Sequence, residues 1–265
     1  MGVNLKIIRN LVPLVSGGLL PPRASILEYG LQNIFWQSAV HERELTEFVG
    51  NMRNYNGLTT TEPENDISHI GSGGLHGDLL RQCGFRYMAL DICSGSEGVI
   101  FFDLNHDKVP AELFNSFDLV TNFGTTEHII NQYNSFLTMH DFTKPGGIMY
   151  HDLPLGGYFF HGYFSYTPMF FFHLALANDY MVLYRRYCKG PINSDLELAP
   201  TELTENGWPD THYQNWGVEF IFRKMSSRPF RMPVEVGTSG EIDEGFAARQ
   251  GEEMRLISGR RDVLG

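Results

Sequence analysis

The chain has 265 residues, a formal net charge of −11, 42% hydrophobic residues and 19% charged residues. This length and composition suit one well-buried α/β domain, and the acidic balance argues against nucleic acid, which needs a Lys/Arg surface. The three cysteines, Cys83, Cys93 and Cys188, form no CxxC pair. They therefore indicate neither a disulfide framework nor a zinc site, and they favour a reducing, cytoplasmic location.

The N-terminal segment carries a short apolar run that Pro13, Gly17 and Gly18 interrupt. A helix that crosses a bilayer needs about 20 consecutive, mainly apolar residues. The run is too short for that, so we expect no membrane span.

Seven short segments are predicted as β-strands, because apolar runs such as Val99-Ile-Phe-Phe102 suit strands buried on both faces. In chain order they cover residues 24–29, 86–91, 98–102, 117–122, 147–152, 180–186 and 218–224. Helices are predicted at residues 42–52, 75–83, 127–142 and 169–178. This alternation predicts an α/β fold with a doubly wound, mostly parallel sheet.

The stretch between the first two strands is much longer than the roughly dozen residues that a parallel crossover needs. We predict that residues 33–75 form an inserted cap, with a loop at residues 59–65. The polar residues 240–265 are predicted as a loosely held C-terminal extension. The whole chain, 1–265, is therefore predicted to be one domain.

The most informative stretch runs from Phe117 to Pro154 and reads as strand, polar turn, helix, Lys-Pro-Gly-Gly turn and strand. Its first turn, residues 122–128, follows the carboxyl end of a strand. Open α/β sheets bind their ligands at that edge. The turn is therefore predicted to line a binding site.

Two aspartates stand where a nucleoside cofactor needs polar partners. Asp91 ends the second predicted strand, where a carboxylate can accept hydrogen bonds from ribose hydroxyls. Asp103 follows the third strand, where a polar side chain can reach the base. Either aspartate alone is equally consistent with a strand-end turn, but their order along the chain favours the cofactor interpretation.

Two glycine turns compete for the close approach of the backbone to the cofactor. Glu28-Tyr-Gly30 ends the first strand, whereas Gly71-Ser-Gly73-Gly74 opens a predicted helix about twenty residues before Asp91. A polar segment precedes the second turn and makes a poor buried strand. We favour Gly30, with the Gly71–Gly74 turn closing over another part of the cofactor.

FDLV at Phe117, TTEHI around Glu127 and KPGGI after Lys144 closely resemble the second half of class I S-adenosylmethionine-dependent methyltransferases. The resemblance covers roughly residues 24–224 and implies a seven-stranded sheet whose last strand, 218–224, is antiparallel and lies between the fifth and sixth. It implies S-adenosylmethionine as cofactor, with Asp91 on the ribose and Asp103 on the adenine. The other cofactor-binding residues expected are Glu28, Gly30, Gly71, Gly73, Ile92, Leu104 and Asn122.

Candidate catalytic residues follow the fourth and fifth strands. Glu127 and His128 follow the fourth, and His161 lies in an aromatic loop after the fifth. A histidine that titrates near neutrality can take the acceptor's proton. The residues expected to hold the acceptor are His151, Tyr158, Tyr163 and Tyr166. Each of these residues also has a plain structural interpretation, as a capping or packed side chain.

The acceptor is expected to be a small molecule or a sugar-like compound such as a glycan, methylated on oxygen or nitrogen. No metal site is predicted: Asp103-Leu-Asn105-His-Asp107 lacks the glycine of a calcium loop, and Glu127-His128 lacks a second histidine at helical spacing. Three alternatives stay open at this stage. They are a nicotinamide-dependent oxidoreductase, a non-catalytic protein of the same fold, and an enzyme that uses S-adenosylmethionine for another reaction.

Overall fold

The computed structural model describes residues 2–93, 95–158, 160–189 and 215–234. Within these residues the strands are β1 (Gly2–Val3), β2 (Ser25–Tyr29), β3 (Asn33–Ile34), β4 (Arg86–Asp91), β5 (Val99–Phe101), β6 (Phe117–Phe123), β7 (Thr143–Gly156), β8 (Tyr180–Lys189) and β9 (Trp216–Lys224). The helices are α1 (Leu5–Ser16), α2 (Ala39–Tyr55), α3 (Glu62–Asn65), α4 (His76–Gln82), α5 (Gln132–Phe142) and α6 (Pro168–Ala177). The predicted extension, 240–265, lies outside the described residues.

Seven of these strands form one sheet in the order β5-β4-β2-β6-β7-β9-β8. The five from β5 to β7 are parallel, and β9 is antiparallel to both of its neighbours. The seven predicted strands are confirmed, as is the antiparallel last strand between the fifth and sixth. The small β1-β3 pair stands apart as a second, parallel sheet.

Successive strand residues contribute to two different cores, one on each face of the sheet. Ile26 and Leu119 belong to the first core, whereas Leu27 and Val120, their neighbours along β2 and β6, belong to the second. Side chains alternate across a strand, so the two cores lie on opposite faces. The first core takes side chains from α1, α2 and α4, and the second from α5 and α6. The sheet is therefore doubly wound.

The predicted cap at residues 33–75 is not confirmed. Its main helix, α2, buries Leu45, Phe48, Val49 and Met52 in the same core as α1. The helix thus covers the sheet. Within the predicted loop 59–65, one helical turn, α3, forms.

One helical prediction needs correction, and one helix of the structure is absent from the prediction. The helix predicted at 127–142 begins only at Gln132, after Asn131, whose side chain caps it by accepting from the Asn134 amide at 3.1 Å. Thr126–His128 form a short 3-10 turn instead. Helix α1 was not predicted, because Pro13 lies inside it. Among the described helices, none is long and apolar enough to cross a membrane.

Candidate functional site

The chain leaves β2 through a tight turn at Gly30, whose φ is +70°. A Cβ atom at this position would lie 2.7 Å from Thr125 Oγ1, so a larger residue does not fit without movement. The Gly30 amide donates to the Leu90 carbonyl at 2.9 Å. Because Thr125 lies in the turn after β6, its contact with Gly30 shows that the turns after β2 and β6 meet at the carboxyl edge of the sheet.

The buried side chain of Glu28, two residues before Gly30, stabilises this turn. Its side chain is fully buried and lies 2.6 Å from His76 Nδ1. It also accepts from the Tyr87 hydroxyl at 2.5 Å and from the Gln32 amide at 3.2 Å. These contacts join β2 to the start of α4. Direct contact of Glu28 with the cofactor stays a prediction.

The two competing glycine turns are neighbours in space. Beyond Gly30 the chain forms β3, where the Asn33 side chain donates to the Gly73 carbonyl at 2.7 Å. The Gly73 amide returns a bond to the Ile34 carbonyl at 2.7 Å. Gly71, with φ +67°, begins the same turn. Gly30 ends the first strand of the large sheet, and the Gly71–Gly74 turn flanks it.

Asp91 ends β4 beside the Gly30 turn. Its carboxylate accepts from the Leu31 amide at 2.9 Å and from the Cys93 amide at 2.8 Å. The next residue, Ile92, has 66% of its surface exposed. An exposed apolar side chain beside a strand-end acid is the arrangement expected for a nucleoside site.

Asp103 lies just beyond β5, where the amide of the preceding Phe102 donates to the Asp91 carbonyl at 3.0 Å. Its carboxylate accepts from the Asn105 amide at 2.8 Å and lies 2.7 Å from His106 Nδ1. The bond with His106, more than any other contact, lowers the pKa of Asp103. Leu104 is 4% exposed and packs in the second core, so Ile92 is the more accessible of the two predicted adenine contacts.

Asn122 and His151 are buried side by side at the ends of β6 and β7. Asn122 Nδ2 donates to Thr126 Oγ1 at 2.9 Å and lies 3.3 Å from His151 Nδ1. Burial lowers the pKa of His151 to about 3, so its ring is neutral. His151 has no exposed surface. Its predicted contact with the acceptor is untested and would require movement of the aromatic rings around it.

Glu127, His128 and His161 form a cluster at the same edge. Glu127 Oε1 lies 3.8 Å from His128 Nε2 and 3.5 Å from His161 Nε2, and the two rings stack edge to face at 4.7 Å. Glu127 is fully buried, which raises the pKa of its carboxyl to about 8. Burial also lowers the pKa of both histidines, whose side chains stay 45% and 34% exposed.

The aromatic loop is fastened to this cluster by its backbone. The Tyr163 amide donates to the Glu127 carbonyl at 2.6 Å, and a Cβ on Gly162 would lie 2.8 Å from Glu127 Cγ. Tyr166 is buried and donates to Gln132 at 2.7 Å, which makes it a brace for the loop. Tyr163 is 69% exposed, and the Tyr158 ring lies 6.0 Å from that of His161.

A buried ionic group beneath the site was missed by the sequence analysis. Lys6 Nζ, from α1, lies 3.2 Å from both Asp152 Oδ2 and Glu219 Oε1. Arg186 also pairs with Glu219, at 2.8 Å. Burial raises the pKa of Asp152 above its ordinary value, although the positive charge of Lys6 opposes this shift. The signal available was a lysine within an apolar N-terminal run, but its partners lie far away in the sequence.

Comparisons with known proteins indicate the family of the chain. A family model described as "Methyltransferase domain" matches residues 52–196, more than half of the chain. A search of curated proteins found no match.

Three similar solved structures are all methyltransferases. The 1,6-didemethyltoxoflavin N1-methyltransferase of Burkholderia thailandensis is 13% identical, with a TM-score of 0.41, over 83% of this chain and 78% of that one. An S-adenosylmethionine-dependent methyltransferase of Archaeoglobus fulgidus is 12% identical, with a TM-score of 0.41, over 83% and 93%. One from Clostridium acetobutylicum is 10% identical, with a TM-score of 0.43, over 82% and 90%.

Proposed function

We propose that this chain, which belongs to the family described as "Methyltransferase domain", uses S-adenosylmethionine to methylate a small-molecule or sugar-like acceptor on oxygen or nitrogen. The observation that carries the proposal is the Glu127–His128–His161 cluster at the carboxyl edge of the sheet. It stands at the same edge as the Gly30 turn and Asp91. A cofactor held there would present its methyl group toward an acceptor beside the cluster.

In the proposed reaction the acceptor oxygen or nitrogen attacks the methyl carbon in line with the sulfonium. The carbon–sulfur bond breaks, and its electron pair stays on sulfur to give S-adenosylhomocysteine. His161, one-third exposed beside the buried Glu127, takes the acceptor's proton. Tyr158 and the exposed Tyr163 form the wall of the acceptor site and exclude water from it.

The cofactor part of the proposal assigns Asp91 to the ribose and Asp103 and Ile92 to the adenine. It assigns the close approach of the backbone to the Gly30 turn, and the methionine part to the Gly71–Gly74 turn. Support comes from the hydrogen bonds that join Asp91 to Leu31 and to Phe102, since they bring these groups to one edge.

The acidic balance supports a metabolite or glycan acceptor over nucleic acid. A cytoplasmic location is part of the proposal, supported by the three free cysteines.

The test is transfer of a labelled methyl group to fractionated metabolites, glycans and RNA. We expect label in a small-molecule or glycan fraction; label confined to RNA would refute the acceptor class. His161→Gln should lower turnover at least about tenfold, since general-base catalysis contributes about 10²–10⁴-fold. His69→Gln, at an exposed histidine in a different part of the chain, is the matched control. Equal turnover in the two variants would remove His161 from the mechanism.

A further inference from the structure

We propose that Glu127, His128 and His161 bind a divalent transition-metal cation, which the acceptor then joins as a further ligand. Each residue offers one ligand atom, and these atoms all lie within 4.8 Å of one another. The part concerning the acceptor rests on the proposed function; the cation site itself does not.

The two distances from Glu127 to the histidines are close to those between ligand atoms in a coordination shell. Metal–nitrogen and metal–oxygen distances of about 2.0–2.2 Å at tetrahedral angles put neighbouring ligand atoms about 3.3–3.6 Å apart. Glu127 Oε1 lies 3.5 Å from His161 Nε2 and 3.8 Å from His128 Nε2. Small side-chain rotations complete the shell.

Within the described residues, the hydrogen bonding of the cluster is incomplete, which is a second observation consistent with a bound cation. Glu127 is 0% exposed, and within the described part of the chain neither of its carboxylate oxygens has a hydrogen-bond partner. His161 Nε2 is also buried without one. Burying a carboxylate without partners is costly, and a cation between these atoms would satisfy all three.

The backbone holds the cluster in place before any ligand arrives. The Tyr163 and Phe164 amides both donate to the Glu127 carbonyl, at 2.6 and 3.2 Å. These bonds bring the loop after β7 onto the turn after β6, which is how His161 reaches Glu127. The ligands therefore come from two segments that no local sequence motif connects.

The ligand set indicates the class of cation. Two imidazoles and one carboxylate suit Zn²⁺, Fe²⁺ or Mn²⁺, whereas Ca²⁺ and Mg²⁺ prefer oxygen ligands throughout. Three protein ligands leave coordination positions open for an acceptor oxygen. A hydroxyl bound there loses its proton more readily, and the proton leaves to water. With the cation bound, His161 is a ligand and the cation activates the acceptor in its place, so His161 acts as the base only in the cation-free protein.

The experiment is a calorimetric titration of chelator-treated full-length protein with Zn²⁺. We expect one Zn²⁺ per chain, and affinity at least tenfold weaker in Glu127→Gln and in His161→Gln. His69→Gln, at an exposed histidine outside the cluster, should bind as wild type does. Wild-type affinity in both cluster variants, or no Zn²⁺ binding by the wild type, would overturn the proposal.

A second measurement on the wild-type protein keeps the test decisive if a variant fails to fold. Co²⁺ in a site of low coordination number gives strong visible absorption bands, whereas hexaaqua Co²⁺ gives weak ones. Strong bands that Zn²⁺ displaces support the site; the weak aqua spectrum overturns it. Binding of S-adenosylhomocysteine to the metal-free protein is measured separately, so failure of the cation site is distinguishable from failure of the methyltransferase proposal.

Discussion

Replacement of Lys6 by methionine removes a positive charge that two buried carboxylates share. The side chains of Lys6, Asp152 and Glu219 are 2%, 3% and 0% exposed. Burial opposes the charge of Lys6, yet Asp152 and Glu219 outweigh it and raise its pKa above the ordinary value. Arg186 still pairs with Glu219 in the variant, so the charge left without a partner is mainly that of Asp152.

Removing one partner of a buried ion pair costs about 3–5 kcal/mol, because the remaining charge stays desolvated. For a domain of this size, each kcal/mol lowers Tm by about 2–4 °C, so Lys6→Met should lower Tm by about 6–20 °C. Urea and thermal unfolding followed by circular dichroism measure both quantities. The double variant Lys6→Met/Asp152→Asn should recover part of the lost stability, because it leaves no buried charge without a partner.

The matched control is Lys144→Met. Lys144 pairs with Asp118 at 2.7 Å, but these side chains are 36% and 13% exposed. A pair this accessible to water contributes about 0–1 kcal/mol. If Lys6→Met costs no more than Lys144→Met, or if the double variant recovers nothing, the buried ionic group does not stabilise the fold in the way argued here.

Two further predictions concern the sheet edge. Gly30→Ala should destabilise the protein by about 1–3 kcal/mol, because φ is +70° and the added Cβ would lie 2.7 Å from Thr125 Oγ1. Gly18→Ala is the control, because Gly18 has the same backbone conformation, with φ +69°, but open space around it. Equal unfolding midpoints of the two variants in urea would show that the contact of the added Cβ with Thr125 does not destabilise the protein. His151 protonates near pH 6.5 when unfolded and near pH 3 when folded, so the stability it contributes is present above pH 6.5 and lost as the pH falls through that window. The measurement is the difference between the free energies of unfolding of wild type and of His151→Gln. Below pH 6.5 this difference should fall by up to about 1.4 kcal/mol per pH unit. A difference that does not depend on pH would contradict a buried, neutral ring.

The sheet could be predicted from the sequence because its strands are continuous apolar runs bounded by turns. Helix α1 could not, since Pro13 breaks the local pattern and the buried Lys6 finds its carboxylate partners on β7 and β9, far away in the sequence. The sequence pattern predicts too early a start for α5, because the side chain of Asn131 caps the helix and fixes its beginning at Gln132. These are tertiary and capping effects, which override local propensity.

The sequence predicted the individual residues of the candidate site, but it did not predict which of their side chains lie together. Asp91 and Asp103 stand at strand ends that a parallel sheet brings to one edge. The partnership of Glu127 with His161 depends instead on backbone bonds from the aromatic loop to the Glu127 carbonyl. A search for metal ligands at helical spacing cannot find such a pair.

Calorimetric binding of S-adenosylhomocysteine to wild type, Asp91→Ala and Asp78→Ala tests the cofactor site directly. Asp91 is placed on the ribose, whereas Asp78 is a half-exposed acid on α4 paired with Arg81. We predict that the wild type and Asp78→Ala bind S-adenosylhomocysteine with the same affinity. Asp91→Ala should bind it at least about tenfold more weakly, because it loses a charge-assisted hydrogen bond that contributes about 1.5–3 kcal/mol. Absence of binding by the wild type, or unchanged affinity in a folded Asp91→Ala protein, would contradict a cofactor site at this edge of the sheet.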